Sequence, residues 1–207
     1  MLLILTGDIQ IGKTRWLQSA IERLEACGVV CEGVVAPGVW RADSATGGFE
    51  KLGIDNLLLP QRELVPFARR EDLARAEGAY DASNLSAHVG MVWHVSDEAV
   101  AQVNGHFDAL AAQAGRAEPA EAAHPRRLLV VDELGRLELL HNGGLTSALE
   151  LLARGPQSYY GAALVVARQA FDLNAIVAER FGEVWGGCVQ LGPGPEAWDV
   201  LSRALVE

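Results

Sequence analysis

The sequence predicts an α/β domain of three layers, with helices on both faces of a mostly parallel sheet. Three observations carry this. Apolar runs alternate with amphipathic helical stretches, residues 1–36 spell strand, glycine loop, helix and strand, and later strands are joined by connections long enough to be crossovers. A chain of 207 residues suits a single domain over 1–207, with room for a small insertion.

The elements follow in order. Leu2 to Thr6 is a short apolar run ending at Gly7, which suits a buried strand. Thr14 to Ala26 reads as a helix, because Trp16, Leu17, Ala20, Ile21 and Leu24 share one face and Gly28 supplies a stop. Val29 to Ala36 is a second strand, stopped by Pro37-Gly38. Residues 38–66 break the βαβ rhythm: Gly47-Gly48 and the short runs 49–54 and 57–65 after it predict a β-hairpin or meander, a small insertion instead of another βαβ repeat. Beyond it, 69–76 is a short helix or loop, 78–89 is irregular and 91–95 is a strand. Ser96 is the expected N-cap of a helix whose apolar face is Ala99, Val100, Val103, Phe107 and Leu110. An Ala/Glu/Pro-rich surface loop over 115–125 precedes the strand 128–131. A helix over 145–153, a strand over 162–167, a helix over 170–181, a strand over 183–191 and a helix over 195–205 complete the pattern.

Composition narrows the function. Half the residues are hydrophobic and 21% are charged, so the chain is globular. A net charge of −10 argues against a nucleic-acid partner. No apolar stretch is long enough to span a membrane, and the N-terminal run lacks the basic flank of a signal peptide. Cys27, Cys31 and Cys188 lack disulfide-scaffold or metal spacing, so buried free thiols in a cytoplasmic protein are expected. His88, His94, His106, His124 and His141 show no metal spacing either. Of 17 basic residues only Lys13 and Lys51 are lysines.

Gly7-Asp8-Ile9-Gln10-Ile11-Gly12-Lys13-Thr14 fits G-x-x-x-x-G-K-[ST], the phosphate-binding P-loop. Its glycines let the backbone curl so that several N–H groups face one anion, and the helix start behind it adds its dipole. Lys13 is expected to reach the β- and γ-phosphates and Thr14 to offer its hydroxyl to Mg²⁺. With Arg15, these residues are the candidate nucleotide-binding set for ATP or GTP. The strand Leu128 to Val131 ends in Asp132-Glu133, at the end of a parallel strand that faces the same crevice. Asp132 is the expected Mg²⁺ residue, and Glu133 the residue that orients or deprotonates the attacking water.

Together, Gly7 to Thr14 and Val131-Asp132-Glu133-Leu134-Gly135-Arg136-Leu137-Glu138-Leu139 resemble the THEP1-type nucleoside-triphosphatases, whose second motif is Asp-Glu-(Ile/Leu)-Gly-Lys-Met-Glu-(Leu). Gly33-Val34-Val35 and Gly48-Phe49 follow that family more loosely. The resemblance implies a RecA-like P-loop fold and slow, Mg²⁺-dependent hydrolysis of several triphosphates. By position, Lys13 and Thr14 carry over as phosphate and magnesium residues, Asp132 and Glu133 as metal and water residues, and Glu138 as a family glutamate of open role. Gln10 replaces a frequent family glycine, Arg136 a lysine and Leu137 a methionine.

Supporting residues complete the reading. Arg168, just past the strand 162–167, is a candidate for stabilising the transferred phosphoryl group, alongside Lys13 and Glu133. Arg136 is expected in an ion pair, with Glu138 among the partners. Trp40, in a loop after a strand, is the candidate to stack on the base. No Asn/Thr-Lys-x-Asp motif selects guanine, so base use is expected to be broad. Two alternatives stand beside hydrolysis. One is a small-molecule or nucleotide kinase, with Arg62, Arg69, Arg70 and Arg75 as a lid. The other is a module whose nucleotide occupancy regulates a protein partner.

Overall fold

The structure is a computed structural model that describes residues 1–44, 47–116 and 126–206, and Glu133 by its backbone only. Most of the predicted 115–125 loop, with His124, lies outside the described residues.

Five parallel strands form the centre. The apolar run at the N-terminus is β1 (Leu2–Leu5), followed by α1 (Lys13–Ala26) and β2 (Val30–Val35). From later in the chain come β7 (Arg127–Leu134), β8 (Ala162–Ala167) and β9 (Cys188–Leu191). Their spatial order is β2-β7-β8-β1-β9, every neighbouring pair parallel. The strand leading into the glycine loop and the strand ending in the acidic pair therefore both flank β8. Burial on both faces explains why β1, β8 and the middle of β7 are near-continuous runs of Leu, Val, Ile and Ala, whereas the edge strand β9 is half exposed.

Two separate apolar clusters make the three layers. On one face, Leu3, Leu5, Leu128, Val130 and Leu164 pack with Leu17, Ile21 and Leu24 of α1 and with Leu201 and Leu205 of α8 (Pro195–Leu205). On the other, Leu2, Ile4, Leu129 and Val131 meet α4 (Asp97–Ala114), α6 (Thr146–Ala153) and α7 (Leu173–Phe181) through Val103, Phe107, Leu149, Leu152, Val177 and Phe181. Ser96 caps α4 as expected, accepting from the Ala99 N–H at 3.2 Å. The 170–181 helix is shorter than expected: a 3-10 turn at Ala170–Asp172, with Phe171 and Asp172 at positive φ, precedes α7. The 183–191 strand begins only at Cys188, after the turn that seats the buried Trp185.

Of the expected hairpin or meander, the meander is observed; it is larger than expected and joins the main sheet. β3 (Gly38–Ala42), β4 (Phe49–Leu59) and β5 (Glu63–Arg70) form an antiparallel meander that runs to residue 70, and β6 (Trp93–Val95) adds a further strand. A turn at 60–62 splits the predicted 57–65 run between β4 and β5. Between β5 and β6 lie α2 (Glu71–Ala76) and the single-turn α3 (Leu85–His88). One edge of β4 pairs first with β3 and then with β2. Pro37 thus kinks one continuous ribbon instead of ending it, and β3 continues past the ends of the parallel strands toward the glycine loop.

Candidate nucleotide site

The glycine loop is curled as its sequence requires. Gly7 and Gly12 have φ of 124° and 92°, and Gln10 sits at φ 64°. The glycines reach these angles without strain. Gln10 has a Cβ in the left-handed region, costing about 1–2 kcal/mol. The loop opens directly into α1, whose first turn holds Lys13 and Thr14. Lys13 is 8% exposed, and its ammonium donates to the carbonyls of Gly7 (2.9 Å) and Asp8 (2.6 Å). The Asp8 residue itself is exposed, so its charge lies on the solvent side of the loop.

A cleft of about 760 Å³ opens beside the loop. Ile9, Gln10, Gly12, Lys13, Thr14 and Arg15 line one wall. Gly7, Asp8 and Ile11 do not line it; Gly7 and Asp8 instead supply the carbonyls that hold Lys13. Ala36, Pro37, Val166 and Arg168 form the floor at the strand ends. Arg168 thus emerges at the crevice, as its position after β8 predicted.

Asp132 ends the apolar part of β7 and is 1% exposed. Its Oδ2 accepts from the N–H of Ala36, a cleft residue, at 3.1 Å. The bond spans from β7 to the end of β2 and fixes the carboxylate beside the cleft. The β7–β8 pairing slips here: Asp132 pairs with Val166 and Leu134 with Ala167, leaving Glu133 as the extra residue of a bulge. Such bulges re-aim the backbone next to active sites. The side chain of Glu133 lies outside the described residues.

Thr14 and Asp132 are hard oxygen donors of the kind Mg²⁺ takes from protein when phosphates and water supply the rest. That chemistry fits the group the motifs imply.

Glu138 receives a role. It is 5% exposed; Oε2 accepts from the Gly135 N–H at 2.8 Å and Oε1 from the Leu145 N–H at 3.2 Å. The first bond is half of a capping box at the start of α5 (Arg136–His141). The carboxylate clamps the chain directly after the acidic pair. Arg136 is placed differently from the expected pairing: its guanidinium lies 5.2 Å from the centroid of the Phe171 ring, and Glu138 is engaged by backbone N–H groups.

The arginines considered as a lid have carboxylate partners outside the cleft lining. Arg62 pairs with Glu25, Arg69 with Glu77 at 2.6 Å, Arg70 with Asp72 at 2.6 Å, and Arg75 with Glu71 at 2.7 Å. The far wall of the cleft instead carries residues that sequence reasoning missed: Lys51 and Trp93, beside Trp40 and Phe49. The scarcity of lysine was the available signal, since both lysines of the chain line this one cleft. The thiols also depart from expectation: Cys31 is buried, but Cys27 and Cys188 are exposed, and all three are free.

No family model matches the chain, and a search of curated proteins finds no match. Among solved structures, a human cancer-related nucleoside triphosphatase determined in solution is similar, at 20% identity over 97% of this chain and 93% of that one, with a TM-score of 0.57. At that identity the likeness concerns the fold, and it extends over nearly the full length of both chains. The three-layer α/β architecture expected from the two motifs is the architecture observed, shared with a known nucleoside triphosphatase.

Proposed function

We propose that this protein binds a nucleoside triphosphate with Mg²⁺ and hydrolyses it to diphosphate and phosphate, with broad base use. One observation carries the reading: a left-handed glycine loop opens into α1 with Lys13 drawn over it, and the buried Asp132 is tied to Ala36 at the same cleft. The fold likeness to a nucleoside triphosphatase supports it. The exposed free thiols suit a reducing, cytoplasmic setting.

The loop N–H groups and the N-terminus of α1 cradle the phosphates. Lys13 exchanges its carbonyl partners for β- and γ-phosphate oxygens, and Arg168 adds positive charge from the end of β8. Thr14 and Asp132 would hold Mg²⁺, which neutralises charge developing between the β- and γ-phosphates. Glu133, one residue beyond Asp132, is assigned the attacking water, which it orients for in-line displacement and whose proton it accepts.

Phosphate release from ATP and GTP with Mg²⁺ tests this. Lys13→Ala is expected to abolish release. Glu133→Gln is expected to cut it by about 10²–10⁴-fold while sparing nucleotide binding. Unchanged turnover in both variants would refute the assignment.

A further inference from the structure

The cleft extends well beyond the phosphate loop. Its far wall is built from the antiparallel ribbon: Trp40 on β3, Phe49 and Lys51 on β4, and Trp93 on β6. A register slip between Val39 and Trp40 sets Trp40 directly across from Lys51. The Lys51 ammonium lies 5.2 Å from the Trp93 ring centroid and 5.9 Å from that of Trp40. Gly38 makes the fit possible, because a Cβ there would stand 2.6 Å from Trp40 Nε1 and 2.8 Å from Lys51 Cε. Ile9, Trp40, Phe49 and Val92 leave apolar surface exposed around this wall. Large apolar side chains gathered at one mouth mark a place where something docks.

Strand order decides which end of a bound triphosphate faces that wall. From β1, the acid strand β7 lies on the β2 side, and β9 lies on the other. Thr14 and Asp132 would hold Mg²⁺, and with it the γ-phosphate, on the side of β7 and β2. The nucleoside end would then depart toward β9, and the aromatic wall, carried by strands beyond β2, would face the γ-phosphate end.

Resting on the hydrolase reading above, we propose that this part of the cleft binds a second small molecule. Its class is a planar heteroaromatic ring with a carbonyl or anionic oxygen and a hydroxyl-bearing arm, as in a nucleoside. The ring stacks on Trp40 and Trp93, the oxygen accepts from the Lys51 ammonium, and the hydroxyl takes the place of the attacking water. In that step the hydroxyl oxygen bonds to the γ-phosphorus as the bond to the β,γ-bridging oxygen breaks. The nucleoside diphosphate leaves with that electron pair, and the hydroxyl proton goes to Glu133.

The test first loads the protein with Mg²⁺ and β,γ-imido-ATP, then titrates guanosine and uridine by calorimetry. These probes carry ring carbonyls and hydroxyls but no phosphate. One further equivalent is expected to bind, weakened about 10- to 100-fold by Lys51→Met, the weight of one charged hydrogen bond. Trp40→Leu should weaken it as well. Mg²⁺-tripolyphosphate, which has no base, is expected to bind all three proteins alike and so reports that the variants fold. With ATP, labelled phosphate should appear on the nucleoside. No extra equivalent, or one indifferent to Lys51→Met, overturns the site; binding without transfer overturns the acceptor step. If the variants weaken imido-ATP but not tripolyphosphate, the wall holds the nucleotide's own base and the proposal falls while hydrolysis stands. Failure of both imido-ATP and tripolyphosphate to bind would sink the hydrolase reading itself.

Discussion

Glu138→Ala removes a buried carboxylate on which the turn after the acidic pair depends. Two backbone N–H groups, those of Gly135 and Leu145, lose their acceptor. Each hydrogen bond to a charged group contributes about 1.5–3 kcal/mol, so the pair amounts to about 3–6 kcal/mol. For a chain of this size, 1 kcal/mol lowers Tm by about 2–4 °C, so the variant should melt about 6–24 °C below wild type. Glu138→Gln keeps one acceptor oxygen and should lose about half as much. Gly144→Ala reaches the same clamp from the other side: its φ is 62°, and an added Cβ would fall 1.9 Å from Glu138 Oε1. Because the clamp lies between the acid strand and α5, all three variants should also slow phosphate release. Urea titration at unchanged m, thermal melts and phosphate release together make the assay. A Glu138→Ala protein that melts within 2 °C of wild type would show that the clamp carries no such weight.

Further outcomes follow from particular contacts. Gly33→Ala should cost about 4 kcal/mol or more, because a Cβ at this φ of 120° would meet the Val130 carbonyl oxygen at 2.0 Å; soluble yield and the urea midpoint check it. His106 donates from Nε2 to the Gly33 carbonyl at 3.1 Å, and burial lowers its pKa below the usual 6.5. Below 6.5 the unfolded chain therefore binds the proton first, so stability falls as pH drops toward the folded pKa and is flat above 6.5. His106→Gln should flatten that slope in urea midpoints measured across pH. Burial pushes the Cys31 thiol up to about 12. Iodoacetamide at pH 8 should therefore label Cys27 and Cys188 in the native protein and Cys31 only after denaturation, as mass spectrometry would count.

Much of the fold was legible because local patterns report local forces. The central strands β1 and β8 and the middle of β7 are continuous apolar runs, as burial on both faces demands, and α1 and α4 show their buried faces at helical spacing. The glycine loop was legible for the same reason, since positive φ at Gly7 and Gly12 is a requirement of the turn itself. The ribbon was only half legible. Its strands announced themselves, but nothing local says that β4 would pair with both β3 and β2, or that Pro37 would kink a ribbon instead of ending it.

The sequence by itself determined a glycine loop on a strand–helix junction and an acidic tip on a second buried strand, because each is set by neighbours within a few residues. Only the tertiary structure decided that β8 separates those two strands, that Ala36 steadies Asp132, that Glu138 clamps the turn, and that Lys51 with two tryptophans closes the far wall. Those facts depend on strand order and on side chains meeting across long sequence separations, which a linear pattern does not encode.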